Sequence, residues 1–462
     1  MKRILLVSPC ENDGLKGLDT YPSGALVLMG TMLVNKGHEV KIVHMTSDRT
    51  DVDGIQAIVR SFRPDIVGVT VNTFQTKAAK RVTAGVKAVS PDTMVVIGGP
   101  HPSALGLAIF RDFSHVDVAV IGEGEHAFME LVDGTNPRDV RGVCYQGVFT
   151  GPAELAHDLS FIPLPNLGLV DLHRFSGADP LGAYPSMFIM ASRGCPFGCT
   201  FCNKSIFGRT ARFRTPEAVV AEVEWLHRQY GIREIYFQDD TFNLNRAWAT
   251  RVLQLIIDSG LNKRIVYKTS FRANRNLIDE DLLQLAKKAG VWLVFYGVES
   301  GNQAMLDRMQ KGLTLDEIRR AFALTHRAGL KTIGAFIVGL PGETEATFED
   351  TLKLWAEIRP HFIGCGAAIP FPGTELDEEV TRKGHKVISD YDEYSLSKVV
   401  VRTDALTVDQ LRNMLLRFRR LFMRNLVMDI LRFRTTGFLL MVLRSPQYFW
   451  YMLRRVVTYF RV

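Results

Sequence analysis

Three cysteines fall within eight residues, in Ser192-Arg-Gly-Cys195-Pro-Phe-Gly-Cys199-Thr-Phe-Cys202. Thiolates three and four residues apart on one loop can converge on a single soft metal centre. A structural zinc site wants four ligands, and no fourth Cys or His stands near these three. A 4Fe–4S cluster held by three thiolates leaves one iron open for another ligand. The other cysteines, Cys10, Cys144 and Cys365, are scattered and read as small buried apolar residues. Nothing here has the density of a disulfide scaffold.

Other chemistry-bearing residues stand where apolar runs end. Asp239 and Asp240 close one such run. A carboxylate there can accept hydrogen bonds from an ammonium, although Asp-Asp-Thr also suits a helix cap. Glu299 and Ser300 close another, where the Glu could equally salt-bridge a neighbouring helix. Arg272 stands in Ser270-Phe-Arg-Ala-Asn274, and Ile337 and Gly339 lie in the segment 334–344, whose Glu343 and Thr344 read as the start of a helix. Nearer the N-terminus, two glycine-rich turns, Gly98-Gly99-Pro-His101 and Gly122-Glu123-Gly124-Glu125, join Ser8-Pro9 and 70–73 at run ends.

Two series of α/β elements position these groups. In the first 150 residues, expected strands at 3–7, 39–44, 66–70, 94–97 and 116–121 are separated by helices at 24–36, 53–61, 77–89 and 103–110. That alternation predicts a doubly wound parallel sheet, with ligands outside the carboxyl ends of its strands. Thr70, Gly98, Gly99, His101, Glu123 and Gly124 stand on that edge, where glycines let a backbone approach a large flat ligand. Residues 151–185 are Pro- and Gly-rich and read as a surface linker. A second series, 186–375, has strands at 187–191, 234–238, 265–269, 292–297, 331–338 and 363–368, with helices between them. This is the pattern of a partial (β/α)6 barrel with its chemistry on loops at the strand C-termini. A helical region, 376–462, follows.

The cysteine spacing directly after the first strand of the second series resembles the radical S-adenosylmethionine (SAM) superfamily. The surrounding Arg193-Gly-Cys-Pro-Phe-Gly-Cys-Thr-Phe-Cys202 is similar to its branch with an N-terminal cobalamin-binding domain. Tyr21-Pro-Ser-Gly, Gly98-Gly-Pro-His101-Pro-Ser and Ile121-Gly-Glu-Gly-Glu125 look like the same branch. The resemblance implies a cobalamin-binding-like domain, a radical SAM core, a 4Fe–4S cluster on Cys195, Cys199 and Cys202, SAM on the open iron, and cobalamin. It implies electron transfer from the cluster, cleavage of SAM to a 5′-deoxyadenosyl radical and hydrogen abstraction from substrate, with methylcobalamin as methyl donor. It also implies SAM contacts at Asp239, Asp240, Arg272, Glu299, Ser300, Ile337 and Gly339, and cobalamin contacts at Thr70, Gly98, Gly99, His101, Glu123 and Gly124. The cobalt-ligating D-x-H-x-x-G motif is missing; the nearest string, Asp171-Leu-His173, lacks the Gly at the right spacing.

The expected reaction is C-methylation of an unactivated carbon in a small-molecule or lipid substrate, with a reducing donor such as flavodoxin or ferredoxin. The enzymatic alternative is oxidative ring closure, as in the similar anaerobic porphyrin-ester cyclases; a cobalamin-binding sensor is the alternative from another class. A sensor needs neither the grouped thiols nor the strand-end carboxylates. Methylthiolation of tRNA would bring a second cluster on three N-terminal cysteines, and only Cys10 and Cys144 are there.

With 47% hydrophobic and 23% charged residues, the chain reads as globular. No secretion signal and no apolar run of spanning length is seen, so a cytoplasmic placement is expected. The net charge of +7 is uneven: 402–462 holds twelve Arg, no Lys and three Asp, leaving the remainder slightly acidic. The Arg-rich helical pattern there fits peripheral contact with the inner face of a membrane, packing on the barrel or, least well, nucleic acid.

Overall fold

The computed structural model describes residues 1–12, 19–175, 182–395 and 398–431. The first seven strands are β1 (Arg3–Ser8), β2 (Glu39–His44), β3 (Ile66–Thr70), β4 (Met94–Gly98), β5 (Val118–Val120), β6 (Val143–Tyr145) and β7 (Val148–Phe149). They form one sheet in the order β2-β1-β3-β4-β5-β6-β7. The first five are parallel. Ile4, Leu5, Leu6 and Val7 are all buried, because helices cover both faces of a parallel sheet and leave no polar alternation. Leu5 and Val7 pack on one side, Ile4 and Leu6 on the other. The strand order reverses between β1 and β3, so a ligand crevice opens at their C-terminal ends.

Three details depart from the sequence reading. The helix expected at 103–110 begins instead at Pro100 and ends at Leu105, followed by a 3-10 turn, Gly106–Arg111. Proline suits a first helical turn, where its missing N–H is no loss, and Gly106 at φ 55° ends the helix. Strand β5 is shorter than expected. The antiparallel hairpin β6–β7 was not anticipated, although Gln146 and Gly147, with φ of 47° and 78°, supply the two positive-φ residues of a tight hairpin turn.

The second sheet contains β8 (Ser186–Ile189), β11 (Glu234–Phe237), β12 (Val266–Phe271), β13 (Val291–Glu299), β14 (Lys331–Val338) and β15 (Phe362–Ala367). Its order, β15-β14-β13-β12-β11-β8, is that of an open, all-parallel half-barrel. A separate clip, β9 (Ser192–Arg193) with β10 (Arg212–Phe213), is antiparallel. Alternate residues such as Ile235, Phe237, Tyr267, Val294 and Tyr296 enter the main core beneath the helices. Their neighbours line the lumen, among them Tyr236, Lys268, Phe295, Ile333, Ala335 and Gly364.

The stretch expected to run over the surface is instead pinned between the two α/β units. Asn166 donates its backbone N–H to Thr31 Oγ1 at 2.9 Å, and Trp225 Nε1 donates to Pro165 O at 3.0 Å. Leu159, Leu167 and Phe175 are buried. Beyond the half-barrel, helix Val408–Leu431 packs on β14 and β15, with Leu411, Met414, Leu415 and Phe418 buried. The apolar stripe from Leu411 to Phe418 therefore packs on protein. The rest of the basic tail, 432–462, lies outside the described residues.

Candidate active site

The cluster loop, 194–211, leaves and re-enters the fold through the β9–β10 clip, where Arg193 pairs in register with Arg212. Gly194 opens the loop at φ 84°, and a Cβ there would collide with the Thr210 carbonyl and come within 3.1 Å of Phe207 O. Only glycine admits that close approach. Cys195 Sγ lies 3.8 Å from Thr241 Oγ1, and Cys199 Sγ lies 4.0 Å from Arg272 Nη1. Desolvation, then the nearby Asp240, Cys199 and Cys195, push the Cys202 thiol up to about 11, although the residue as a whole is exposed. Among the described residues no three His, Cys, Asp or Glu side chains are gathered as ligands of a single ion. Three thiols on one open loop, without a fourth ligand, fit a multi-iron cluster with one free iron better than structural zinc.

The strand-end residues surround this loop. Asp239 Oδ1 accepts from the backbone N–H of Ser192 and, at 2.5 Å, from Ser192 Oγ. Its Oδ2 is buried without a hydrogen-bond partner. Asp240 accepts from the backbone of Gly194; desolvation by the surrounding loop raises its carboxyl, although the residue as a whole is exposed. The next helix is capped by Asn245, so the capping role open to Asp-Asp-Thr is not used. Arg272 lies 3.4 Å above the Phe197 ring, donates to Asn274 Oδ1 at 2.6 Å and reaches the Lys311 carbonyl.

Glu299 has φ 65°, at an irregularity of β13 against β14, and such strain in a bulky residue is stored where surrounding structure enforces it. Its Oε1 accepts from Lys311 Nζ at 2.6 Å, both side chains being buried. Ser300 turns elsewhere, its Oγ lying 3.4 Å from Thr351 Oγ1 and accepting from the Asn302 backbone. Ile337 is half-buried, in register with Gly366. Gly339, at φ 96°, donates its N–H to Glu343, whose carboxyl burial pushes up to about 7. Thr344, as expected, caps helix Glu345–Ile358. Lys204 was missed by sequence reading. Its ammonium is buried without a hydrogen-bond partner and acts electrostatically on both Asp240 and Cys202.

On the N-terminal edge, a Cβ on Gly98 would meet only Val120, at 3.7 Å and beyond, whereas one on Gly99 would come within 2.8 Å of Val71 O. Thr70 ends β3 beside them. His101 is enclosed by the fold, its Nε2 buried without a hydrogen-bond partner. It is 1% exposed, its Nδ1 lies 3.2 Å from Thr73 Oγ1, and its ring meets Tyr391 edge-on. Burial, then Lys80, holds it down to about 4, so it is neutral. Gly124 faces Met29, whose Cε would lie 2.9 Å from an added Cβ. The Glu123 carboxylate is engaged by Arg212 and Arg193 rather than aimed at the crevice.

The two sets of loops meet. Ser205, just beyond the cysteines, donates to Pro100 O at 3.3 Å, and Phe74 packs against Phe371 at 5.5 Å between centroids. The C-terminal edges of the two sheets thus face each other with the cluster loop between them. A separate cleft of about 470 Å³, along β2 and 168–175, carries no comparable chemistry, since Arg174 there pairs with Asp48 and Asp171.

Asp239, pushed up to about 7 chiefly by burial, binds its proton more tightly folded than unfolded. Its contribution to stability is therefore lost as pH rises from about 4 through 7, at roughly 1 kcal/mol per pH unit. Asp239→Asn is expected to raise the melting temperature of the cluster-free protein at pH 8 and not at pH 4. Equal shifts at both values would rule out that ionisation.

Residues 189–354 match the radical SAM superfamily and residues 16–132 the B12 binding domain. The chain is 32% identical to an uncharacterised methyltransferase of Pyrococcus horikoshii, over 89% of this chain and 90% of that protein. It is 28% identical to the anaerobic magnesium-protoporphyrin IX monomethyl ester cyclase of Rubrivivax gelatinosus, over 91% and 77%. The fold is shared with the radical SAM methyltransferase TsrM from Kitasatospora setae, solved with cobalamin and a 4Fe–4S cluster (TM-score 0.67, 21% identity, 83% of this chain and 75% of that one). The chain belongs to the radical SAM superfamily, in the branch that joins a B12-binding domain to the radical SAM domain, and is an enzyme using a 4Fe–4S cluster, SAM and cobalamin.

Proposed function

We propose that this enzyme is a C-methyltransferase acting on an unactivated carbon of an apolar small molecule. The observation that carries this reading is the facing of the two ligand edges across the cluster loop, seen in the contacts of Ser205 with Pro100 and Phe74 with Phe371. The bound cofactors supply a radical that activates carbon and a corrinoid-borne methyl group. Everything else is positioning by this chain. Cys195, Cys199 and Cys202 hold the cluster. Asp240, exposed beside the loop, would accept hydrogen bonds from the amino group of SAM, and Lys204, close to Asp240 and Cys202, would add positive charge for its carboxylate. Asp239 and Arg272 brace the loop from below through Ser192 and Phe197. Glu299, buried at the end of β13, is steadied by Lys311.

The β13–β15 side of the lumen wall supports the apolar substrate. Phe295 and Ile333 stand in register on β13 and β14, as do Ala335 and Gly364 on β14 and β15. A Cβ on Gly364 or Gly366 would meet nothing within 4 Å. A lipid or membrane-borne substrate fits this wall. Ring closure, as the name of the Rubrivivax relative states for that protein, is the second reading.

Anaerobic purification with iron and corrinoid quantified, then incubation with SAM and a strong reductant, tests the proposal. About four irons and one corrinoid per chain are expected, with 5′-deoxyadenosine and cobalamin-dependent S-adenosylhomocysteine as products. Iron and SAM cleavage without corrinoid or S-adenosylhomocysteine would keep the radical enzyme and exclude methyl transfer.

A further inference from the structure

The cluster loop is a lasso whose neck is held from the other domain. Arg193 and Arg212 are register partners in the β9–β10 clip at the two ends of the loop. Both reach Glu123, in the turn after β5, and Arg193 also reaches Glu125, at the start of helix Glu125–Asp133. Arg193 Nη2 donates to Glu125 Oε1 at 2.6 Å, and Arg193 Nη1 lies 3.3 Å from Glu123 Oε2. Arg212 grips Glu123 through both terminal nitrogens, one at 3.1 Å to Oε2, and also donates to Ala156 O at 2.8 Å. All four side chains are buried, and Phe161 and Phe207 lie by the Arg193 guanidinium, with ring centroids 5.9 and 5.3 Å from its central carbon.

A buried network of two guanidinium and two carboxylate groups is a weak source of stability, since desolvation offsets attraction. Its geometry is another matter, because forked guanidinium–carboxylate pairs fix both distance and orientation. Arg193 is two residues from Cys195, and Glu123 and Glu125 stand on the ligand edge of the N-terminal sheet. One network therefore grips the cluster loop and the corrinoid-side turn together.

We propose that Glu125 and Arg212, through this network, are positioning residues that set the reach between the SAM site and the corrinoid site. The proposal rests on the function given above. Two reactions of SAM read it without the substrate. Reductive cleavage to 5′-deoxyadenosine needs only the cluster and SAM, whereas conversion to S-adenosylhomocysteine on added cobalamin needs SAM and corrinoid held at a defined separation. That second step breaks the sulfur–methyl bond and transfers the methyl cation to reduced, electron-pair-donating cobalt, with the strong reductant supplying the electrons.

Glu125→Gln, and Arg212→Lys as a gentler second variant, are to be compared with wild type as full-length, cluster-loaded proteins. Iron and corrinoid contents should match, and 5′-deoxyadenosine formation should stay within about twofold. Cobalamin-dependent S-adenosylhomocysteine formation should fall by roughly tenfold to a hundredfold, the scale of a sub-ångström to ångström misplacement. A parallel fall in both products, or no fall in either, would overturn the proposal. Should wild type itself form no S-adenosylhomocysteine, the methyltransferase reading fails, and the clamp is judged by hydrogen exchange at 192–193 and 212–213. Faster exchange in Glu125→Gln then upholds the clamp, and unchanged exchange rejects it.

Discussion

Cys199→Ala is expected to abolish reductive cleavage of SAM while leaving corrinoid binding at the wild-type level. Cys199 sits centrally in the loop, with the Arg272 guanidinium 4.0 Å from its sulfur and the Phe197 ring stacked beneath that guanidinium. Loss of one thiolate from a three-thiolate set leaves two, with no Cys or His nearby to substitute. The expected fall exceeds the roughly ten- to hundredfold cost of losing a hydrogen-bond partner behind a ligand. Iron content, the spectrum of the reduced cluster and 5′-deoxyadenosine yield measure it. Cys144→Ala is the control. That thiol is buried in the N-terminal sheet, where desolvation pushes it up to about 11, far from any metal-binding role. Retained SAM cleavage in Cys199→Ala, or an equal loss in Cys144→Ala, would remove the cluster from this loop. Preserved corrinoid binding with activity lost would also exclude a sensor that works without a cluster.

What could be read in advance follows from range. The cysteine loop announces itself because three soft ligands lie within eight residues. Parallel strands announce themselves because burial on both faces demands continuous apolar runs such as Ile4–Val7. Thr70 and Gly98 could be placed on a ligand edge for the same reason, since strand ends locate themselves once strands do. The partners of Glu123 and Glu125 could not. They lie 89 and 68 residues away, and an ion pair between two domains leaves no local period. The resemblance implies a corrin contact at Glu123, while the structure spends its carboxylate, and that of Glu125, on arginines. His101 was similarly ambiguous, because nothing in Gly-Gly-Pro-His says that Tyr391 will close over the ring. Lys204 carried no signal beyond nearness to Cys202, and only the folded loop strips its ammonium of hydrogen-bond partners.

The basic tail shows the same limit in a different form, and Phe418→Ala decides it. A stripe of Leu411, Met414, Leu415 and Phe418 flanked by arginines is equally suited to lipid and to protein, because both accept an amphipathic helix. In the structure Phe418 is fully buried, with ring centroids 5.0 Å from Phe336 and 5.6 Å from Trp355. Arg419 turns inward to the Cys365 carbonyl at 3.5 Å, and Arg417 pairs with Glu349. Arg412, Arg420 and Arg424 remain exposed. Removing a buried Phe from such a cluster costs about 3–5 kcal/mol, transfer and cavity together. Urea unfolding should show that loss, and binding to vesicles of anionic lipid should be unchanged, because the ring never faces solvent. Unaltered stability with weaker vesicle binding would mean that the helix leaves the half-barrel for lipid, and would return 408–424 to the membrane. The expected result keeps 411–418 packed on protein and makes this helix the outer wall of β14 and β15, strands whose opposite face lines the lumen.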